Sequence, residues 1–514
     1  MPSANQLATV KLEASSSVGL QALRGFAEFW KILYTDNPAS ISHQVALSSG
    51  AIPDPSTTKV PTVLSPLGDD NARQISERYG IGSNQTEALI RLSFSRKAGT
   101  SIRAKTYNFK GAKLKTLIES AGTPVLSRLD STNLYLLSID LASTFNHLLS
   151  NGLEDRPSFK FRLATQLPWS YRMIPSFMRN RAFRKDEDEN VTKENLSPIE
   201  CLRTIFLASL LAASDMSIPF VGFWKRGKKF GATVTHDVET AQGLIEGSKH
   251  LLSVEHQFGI RSTWNIVSNR YQLTQENLKP LATSGEIGGH DTNHDGRLIF
   301  LPAESRANRL RDCRETLERK SQSRVSVFRA PLLQHDKELL TAVSKAGYTC
   351  DSSVPSWELL SPTSLRSHGV GTVFPMQLEG LVEVPVSLPQ DHQLLRVRSL
   401  SSSEAATILV RESQVVREIG GICSVLVHPD YDFASQPALE EYSRVLRSFT
   451  EDSACQLMTL SEVSDWWSHR QAATLQMTSN GLAVDSPDGS PVDDLHLEVA
   501  RGFDENGFVI EEFN

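Results

Sequence analysis

Residues 231–239, GATVTHDVE, decide the predicted fold of the larger part of this chain. The first five are small or β-branched, which is typical of a buried strand, and polar and acidic side chains follow directly. Six more β-like runs follow, mostly separated by amphipathic helical segments. They occupy residues 262–267, 285–289, 325–329, 382–387, 422–428 and 456–460. Strands that alternate with helices pair in parallel, so we predict an α/β sheet or barrel over residues 226–470.

The 514-residue chain is too long for a single ordinary core. We predict an N-terminal αβ domain over residues 1–185, a linker and lead-in helix over 186–225, and a small β-rich appendage over 471–514. Ser197, the proline after it and Glu200 form a predicted capping arrangement that starts a helix running to about residue 213. In the N-terminal domain a predicted strand at 134–139 precedes a helix, a unit that loosely resembles flavodoxin-like or amidotransferase-like folds without an identifiable nucleophile.

Composition and charge argue against several classes of protein. The net charge of −6, from 53 basic and 59 acidic residues, argues against nucleic acid as a partner. The longest apolar stretch, residues 205–213, is far shorter than the ~20 residues of a spanning helix, so we expect a buried helix and no membrane span. No secretory signal is visible, and five scattered cysteines lack paired spacing. We therefore expect a cytoplasmic protein without a disulfide framework or a thiolate zinc site.

Side chains with acid–base and metal chemistry follow four of the predicted strands. They occur in the stretches THDVE (235–239), HDTNH (290–294), FRAP (328–331) and LVHP (426–429). In parallel α/β folds the carboxyl ends of the strands and the loops after them form the active site. We therefore expect these four stretches to meet at one rim of the sheet.

Two of these stretches predict a metal site. The spacing of His290 and His294 lets two imidazoles face one cation, although a polar loop with two exposed histidines is the alternative. Asp237 and Glu239 are one residue apart, so one can bind the metal while the other accepts a proton. Two imidazoles and one carboxylate leave open positions for water, whose pKa the metal lowers. The alternative for the acidic pair is the N-cap and acidic first turn of a helix over residues 240–258.

The ordered set of four stretches resembles the polysaccharide deacetylase family, of the NodB-homology and chitooligosaccharide deacetylase type, over residues 220–470. The resemblance implies a distorted (β/α) barrel and a metal-dependent hydrolase that acts on carbon–nitrogen bonds. It implies that Asp237 is the general base and His428 the general acid. It also implies that Arg329 orients the base.

The resemblance further implies that His290 and His294 bind a divalent cation, with zinc first among the candidates. The commonest first motif of the family has two adjacent aspartates, the second a metal ligand, whereas here Val238 follows Asp237. Some branches have an Asp-x-Asp arrangement, and Glu239 would fill its second position as the third ligand.

Three further residues are assigned to the substrate side of the site. Leu426 matches the apolar residue beside the acetyl methyl group, and Pro331 belongs to the FRAP stretch. Asp391, which follows the strand predicted over 382–387, is a candidate neighbour of His428 that would raise the pKa of the imidazole. The alternative for Asp391 is a surface loop acid.

These features predict removal of N-acetyl groups from an amino sugar or polysaccharide by metal-activated water, with an aspartate base and a histidine acid. Two alternatives stay open: hydrolysis of a non-sugar amide on the same fold, as in allantoinase-like members, and a degenerate, non-catalytic carbohydrate-binding protein. Asp291 stands where serine or threonine is usual, and Leu332 where an aromatic residue often follows the proline. The expected partner is therefore a carbohydrate or a small amide.

Overall fold

The computed structural model describes residues 7–37, 43–96, 98–166, 196–478, 481–486, 492 and 494–513. The chain divides into two compact units. Unit 1 comprises Met1–Ser150, Lys193–Arg226 and His469–Asn514, and unit 2 comprises Asn151–Thr192 and Gly227–Ser468. The start of the predicted linker, residues 186–195, lies outside the described residues.

Unit 1 contains a seven-stranded sheet. Its strands are β1 (Val10–Ala14), β2 (Tyr34–Thr35), β3 (Val45–Ser49), β4 (Thr62–Ser65), β7 (Leu114–Ser120), β8 (Thr123–Leu129) and β9 (Leu134–Leu137), while β5 (Gly82–Ser93) and β6 (Gly99–Lys110) form a separate hairpin. The order is β2-β1-β3-β4-β9-β8-β7, and the first five strands pair in parallel. Counted along the chain, these five follow the 2-1-3-4-5 order of flavodoxin-like sheets.

The helices of this N-terminal region are α1 (Ser17–Trp30), α2 (Gly68–Tyr79), α3 (Leu141–Gly152) and α4 (Phe159–Gln166). The predicted strand and helix after residue 134 are confirmed as β9 and α3. The core beside α2 is formed by apolar side chains of β4, β6, β9 and α2, among them Leu64, Ile75 and Leu134.

The lead-in helix is confirmed as α5 (Pro198–Ser214), which is buried over nearly its whole length. Its predicted capping arrangement is wrong, because the Ser197 side chain makes no capping hydrogen bond. The buried Glu200 carboxylate instead accepts a hydrogen bond from Arg203 Nη1 at 2.8 Å. Among the described residues no helix is both long and apolar enough to cross a membrane. The cytoplasmic location stays a prediction.

The C-terminal strands of unit 1 pair with a strand that lies far away in sequence. β10 (Ile218–Val221) is antiparallel to β22 (Leu497–Asp504), which in turn pairs with β23 (Gly507–Glu512); β20 (Thr474–Thr478) and β21 (Gly481–Asp485) form their own hairpin. The β10–β22 pairing joins the end of the predicted linker to the predicted appendage. The structure divides the chain into two units. The predicted domain boundaries stay a prediction, namely 1–185, 186–225, 226–470 and 471–514.

Unit 2 is built on a nine-stranded sheet. Its strands are β11 (Phe230–Val238), β12 (Thr263–Ile266), β13 (Glu286–Gly289), β14 (Val327–Phe328), β15 (Cys350–Asp351), β16 (Met376–Leu378), β17 (Leu381–Glu383), β18 (Ile422–Leu426) and β19 (Cys455–Leu457). The order is β16-β17-β15-β14-β13-β12-β11-β18, with β19 also on β11, and all pairs but β16–β17 are parallel. All seven strands predicted here are present, but several are shorter than predicted, among them β14, β17 and β19.

Helices follow most of these strands, as the alternating pattern predicts. They are α6 (Ser248–Gln257), α7 (Gln275–Ser284), α8 (Ala303–Ser321), α9 (Lys337–Lys345), α10 (Ser402–Ile419), α11 (Ala438–Thr450) and α12 (Leu460–Ala472). The sheet curls into a half-barrel. The half-barrel is open, because among the described strands no ladder joins β16 to β18. Every residue of β11 is buried, which explains the run of small and β-branched residues at 231–235.

Candidate active site

The residues predicted from the four stretches lie at the carboxyl ends of parallel strands in unit 2. Asp237 is near the end of β11 and Glu239 directly follows it, while His290 follows β13 and Arg329 follows β14. His428 comes two residues after β18, the strand that pairs with β11. Parallel pairing brings these ends to one edge of the sheet, as expected.

Glu239, His290 and His294 together could hold a metal ion. One ligand atom from each lies within 4.8 Å of those of the other two. His290 Nδ1 is 2.8 Å from the Arg329 carbonyl oxygen, so this nitrogen carries the proton and Nε2 presents its lone pair. Burial lowers the pKa of His290 to about 4, which keeps the imidazole neutral near pH 7. A neutral imidazole is the form that binds metal.

The Nε2 atom of His294 is placed where a cation could bind it. Its Nε2 lies 3.3 Å from Glu239 Oε1, without hydrogen-bond geometry, and among the described residues this buried nitrogen has no hydrogen-bond partner. Leaving a buried polar atom unpaired costs free energy, and a bound cation would remove that cost. Burial raises the pKa of Glu239, but His294 and the two other imidazoles nearby together lower it by more, so the carboxylate is ionised. The donor set fits a divalent cation.

The loop that carries the two histidines is held by Asp291. Asp291 and His294 both have positive φ angles, 67° and 52°, which side chains other than glycine rarely adopt. The buried Asp291 carboxylate accepts hydrogen bonds from the His294 backbone N–H at 3.2 Å and from Arg309 Nε of α8 at 2.6 Å. A serine or threonine carries no charge and could not form this ion pair with Arg309. Asp291 therefore fixes the loop that presents the histidines.

Asp237 is buried among groups that keep its carboxylate ionised. Oδ1 accepts hydrogen bonds from Asn265 Nδ2 at 2.8 Å and from Arg329 Nη1 at 3.2 Å, and Oδ2 lies 3.8 Å from His290 Nε2. Burial raises the pKa of Asp237, but His290, Arg329 and the other polar groups around it together lower the pKa by more. An ionised, oriented carboxylate can accept a proton.

Arg329 is fully buried, and each nitrogen of its guanidinium donates a hydrogen bond. Nε and Nη2 donate to the backbone oxygen and the hydroxyl of Ser352, both at 2.7 Å, and Nη1 donates to Thr235 Oγ1 at 2.7 Å. These contacts leave the guanidinium one orientation, in which Nη1 reaches Asp237. The planar fork of arginine is suited to such a site, whereas a lysine could not make these contacts together.

His428 forms a buried pair with Asp391. Nδ1 lies 2.6 Å from Asp391 Oδ1, and the His428 backbone N–H donates to Oδ2 at 2.8 Å. Burial lowers the pKa of His428, but the Asp391 carboxylate outweighs burial and raises it to about 10. With Nδ1 on Asp391, Nε2 is the ring atom that can give a proton to a substrate. Asp391 is fully buried and is not a surface loop acid.

The predicted substrate residues Leu426 and Pro331 are both buried. Leu426 ends β18 opposite Thr235, and Pro331 begins a short turn after Arg329. Their contact with a substrate stays a prediction.

Three neighbours of the site carried no signal in the sequence analysis. Asn265 contacts Asp237, and Tyr431 Oη lies 3.3 Å from Glu239 Oε2. Asp430 accepts from the Glu239 backbone N–H at 2.9 Å and from the Thr240 hydroxyl. Asp430 thus takes the capping donors that the alternative assigned to Asp237. A single Asn, Asp or Tyr has no spacing pattern that could have identified it.

Part of unit 2 matches a known protein family. Residues 232–350 match the family model described as polysaccharide deacetylase, a span that contains Asp237, Glu239 and Arg329 as well as both histidines of the metal site. No curated protein is detectably similar to the chain.

Solved structures similar to this chain include a protein assigned as a polysaccharide deacetylase from Mycobacterium smegmatis (18% identity, 50% of this chain and 96% of that one, TM-score 0.42). Others are a protein assigned as a polysaccharide deacetylase from Pseudomonas aeruginosa PAO1 (12%, 47% and 91%, 0.38) and the allantoinase Puue (12%, 48% and 93%, 0.37). Residues 232–350 of this chain match the polysaccharide deacetylase family.

Proposed function

We propose that unit 2 removes N-acetyl groups from an amino sugar or polysaccharide, with a divalent cation held by Glu239, His290 and His294. The observation that carries the proposal is the pair of oppositely tuned proton carriers beside this ligand set. The pKa of Asp237 is lowered, and that of His428 is raised to about 10, so near pH 7 one is a base and the other an acid. Such divergence is typical of acid–base catalysis.

Two neutral imidazoles and one carboxylate are a ligand set of catalytic zinc sites, which keep a position open for water or substrate. A divalent cation bound there supplies Lewis-acid polarisation of the amide carbonyl and a lowered pKa for water. Zinc is our first candidate, because imidazole nitrogens suit it better than they suit magnesium or calcium.

The chain's own residues handle the protons. Asp237 accepts a proton from the attacking water, while Asn265 and Arg329 hold its Oδ1 in place. His428 donates a proton from Nε2 to the departing nitrogen, because an amine expelled without protonation is a very poor leaving group. Asp391 holds the imidazole by Nδ1 and keeps it protonated until that step.

The test is a substrate panel. Metal-replete full-length protein is incubated with N-acetylated oligosaccharides and with small amides, and released acetate and free amine are both measured. We expect acetate and amine in equal amounts from one class of N-acetylated glycan, and no release by Asp237→Asn. Asp312→Asn, at an exposed position of α8, is the matched control and should act as wild type.

Two outcomes would replace the proposal with an alternative. Amine release from small amides but not from glycans would assign a non-sugar amidohydrolase on the same site. Glycan binding without acetate release by metal-replete protein would assign a non-catalytic carbohydrate-binding protein.

A further inference from the structure

Unit 2 contains a second pair of facing histidines outside the candidate active site. His335 lies in the loop that follows Arg329, and its Nε2 is 2.9 Å from Nε2 of His368. Both nitrogens lie beside the carbonyl oxygen of Gly152, at 3.2 Å from His335 and 3.1 Å from His368. His335 is buried and His368 is partly exposed. Three potential ligand atoms therefore form a compact triangle.

The proton on His335 is fixed by its second nitrogen. Nδ1 lies 2.7 Å from the carbonyl oxygen of Leu333, and only an N–H can make that contact. Nε2 of neutral His335 therefore presents a lone pair toward His368. Metal-binding histidines are held in the same way, with the far nitrogen donating to a carbonyl or carboxylate oxygen.

The triangle has almost the dimensions of one face of a zinc site. Tetrahedral Zn–N and Zn–O bonds of about 2.0–2.1 Å separate neighbouring ligand atoms by roughly 3.3 Å. The three observed separations are 2.9, 3.1 and 3.2 Å, so an opening of a few tenths of an ångström would suffice.

The Gly152 carbonyl is held in place by a backbone contact that only glycine permits. A Cβ at residue 152 would lie 2.4 Å from Val370 Cα and 2.9 Å from the Gly369 oxygen. Residue 152 therefore packs directly on the segment that follows His368. Its carbonyl oxygen is fixed before any ligand binds, which reduces the entropy cost of binding.

Two buried carboxyl groups near this triangle lack a positive partner. Asp155 Oδ1 is buried without a hydrogen bond, and among the described residues neither Asp155 nor Glu358 forms an ion pair with lysine or arginine. Burial raises the pKa of Glu358 well above its usual range, and the charge of Asp155 adds to the effect. A bound dication would place a positive charge near Asp155, whose Oδ1 has no hydrogen-bond partner among the described residues.

We propose that His335 Nε2, His368 Nε2 and the Gly152 carbonyl oxygen bind a second divalent transition-metal cation of the zinc class, with Asp155 offsetting its charge. Imidazole ligands select zinc, cobalt, nickel or copper over magnesium and calcium. The cation joins three separate segments of unit 2, at residues 152, 335 and 368. Gln334, next to His335, donates to the Gly296 carbonyl oxygen at 2.9 Å, in the loop after His294. The second site therefore stabilises a loop that contacts the candidate active site.

Metal counting on the full-length protein tests the proposal. After equilibrium dialysis against Zn²⁺, bound zinc is measured by elemental mass spectrometry. We expect two equivalents in wild type, one in His294→Ala, one in His368→Gln and none in the double variant. His256→Gln, at an exposed position of α6, is the matched control and should keep two. A count of two in folded His368→Gln, or of none in folded His294→Ala, overturns the second site.

This count also separates the second site from the proposed active site. If only the second site binds a cation, wild type has one equivalent, which His294→Ala keeps and His368→Gln loses. A thermal measurement adds an independent readout, which does not depend on the folding of His368→Gln. Zn²⁺ should raise the Tm of His294→Ala by several degrees, because a ligand that binds only the folded state stabilises it. An unchanged Tm in His294→Ala contradicts the second site.

Discussion

The parallel sheets of the two units both carry polar side chains at the carboxyl ends of their strands, but these side chains have different partners. In unit 1, Ser65 at the end of β4 donates to the Ile139 carbonyl at 3.1 Å and accepts from the Leu141 backbone N–H at 3.0 Å. Asp140, after β9, accepts from the backbone N–H groups of Gly68 and Ser143, both at 2.9 Å. In unit 1 these side chains thus form their hydrogen bonds with the backbone.

In unit 2 the corresponding side chains face one another. Asp237 meets Arg329 and His290, and His428 meets Asp391. These contacts separate the pKa values of an acid and a base, and His294 is left with a buried, unpaired nitrogen. Location at a strand end is therefore insufficient for catalysis. The chemistry depends on side chains whose hydrogen-bonding capacity the backbone has not already used.

The largest expected effect is that of replacing His428, the proposed acid of unit 2. His428→Gln removes proton donation to the leaving nitrogen, so kcat should fall by about 10²–10⁴-fold. The zinc content should stay as in wild type, since His428 is not a ligand. Amine release and elemental analysis measure the two quantities, and a kcat within a few-fold of wild type would remove His428 from the mechanism.

Arg329→Lys should misplace Asp237, the proposed base, and should also destabilise the fold of unit 2. Lysine cannot serve Ser352, Thr235 and Asp237 together, which leaves buried polar groups unpaired. We expect a loss of about 3 kcal/mol in the free energy of unfolding, and lower activity. Urea denaturation measures the loss, and a stability equal to wild type would show that the buried contacts of Arg329 are dispensable.

The His428–Asp391 pair predicts a pH dependence of stability. The pKa of folded His428 is raised to about 10, above its unfolded value of 6.5. The stabilisation is therefore complete below pH 6.5 and is lost as the pH rises through about 10. Asp391→Asn should lower Tm at pH 6.5 by several degrees, and the difference from wild type should shrink toward pH 10. A difference that does not change with pH would contradict an ion pair.

The smallest effect is expected in unit 1. Asp140→Ala removes the acceptor for the Ser143 and Gly68 N–H groups and should cost about 1–2 kcal/mol of stability. Because the hydrogen bonds of Asp140 are to the backbone, kcat/KM for the deacetylase substrate should stay as in wild type. Calorimetry and an activity assay check both, and a large loss of activity without destabilisation would contradict the contrast between the two sheets.

The sequence allowed most of unit 2 to be predicted, because its strands are continuous apolar runs followed by chemically distinctive side chains. β15 has only two residues and no alternation, so no pattern could reveal it. The β10–β22 pairing joins segments that are almost 300 residues apart, and no local signal encodes such a contact. The contact between Glu200 and Arg203 replaced a predicted cap, because burial made the ion pair the better partner for the carboxylate.

The residues of the candidate site likewise include some that the sequence identified and some that it did not. The motifs identified Asp237, His290 and His294 from residue type and spacing. They gave no indication of Asn265 or Asp430, which act through geometry that appears only when strands and loops are assembled. The triangle of His335, His368 and Gly152 was missed for the same reason, since its atoms come from three distant segments.

The most direct test of the central claim is acetate release from an N-acetylated oligosaccharide by wild-type and Asp237→Asn protein of equal metal content. Asp237 belongs to the proposed proton machinery and not to the ligand set. At equal metal content, a difference in rate therefore reports the loss of the proposed base and not a loss of metal. The account predicts acetate and amine from wild type and at least a ~10²-fold lower rate from the variant. Equal rates from the two proteins would contradict it.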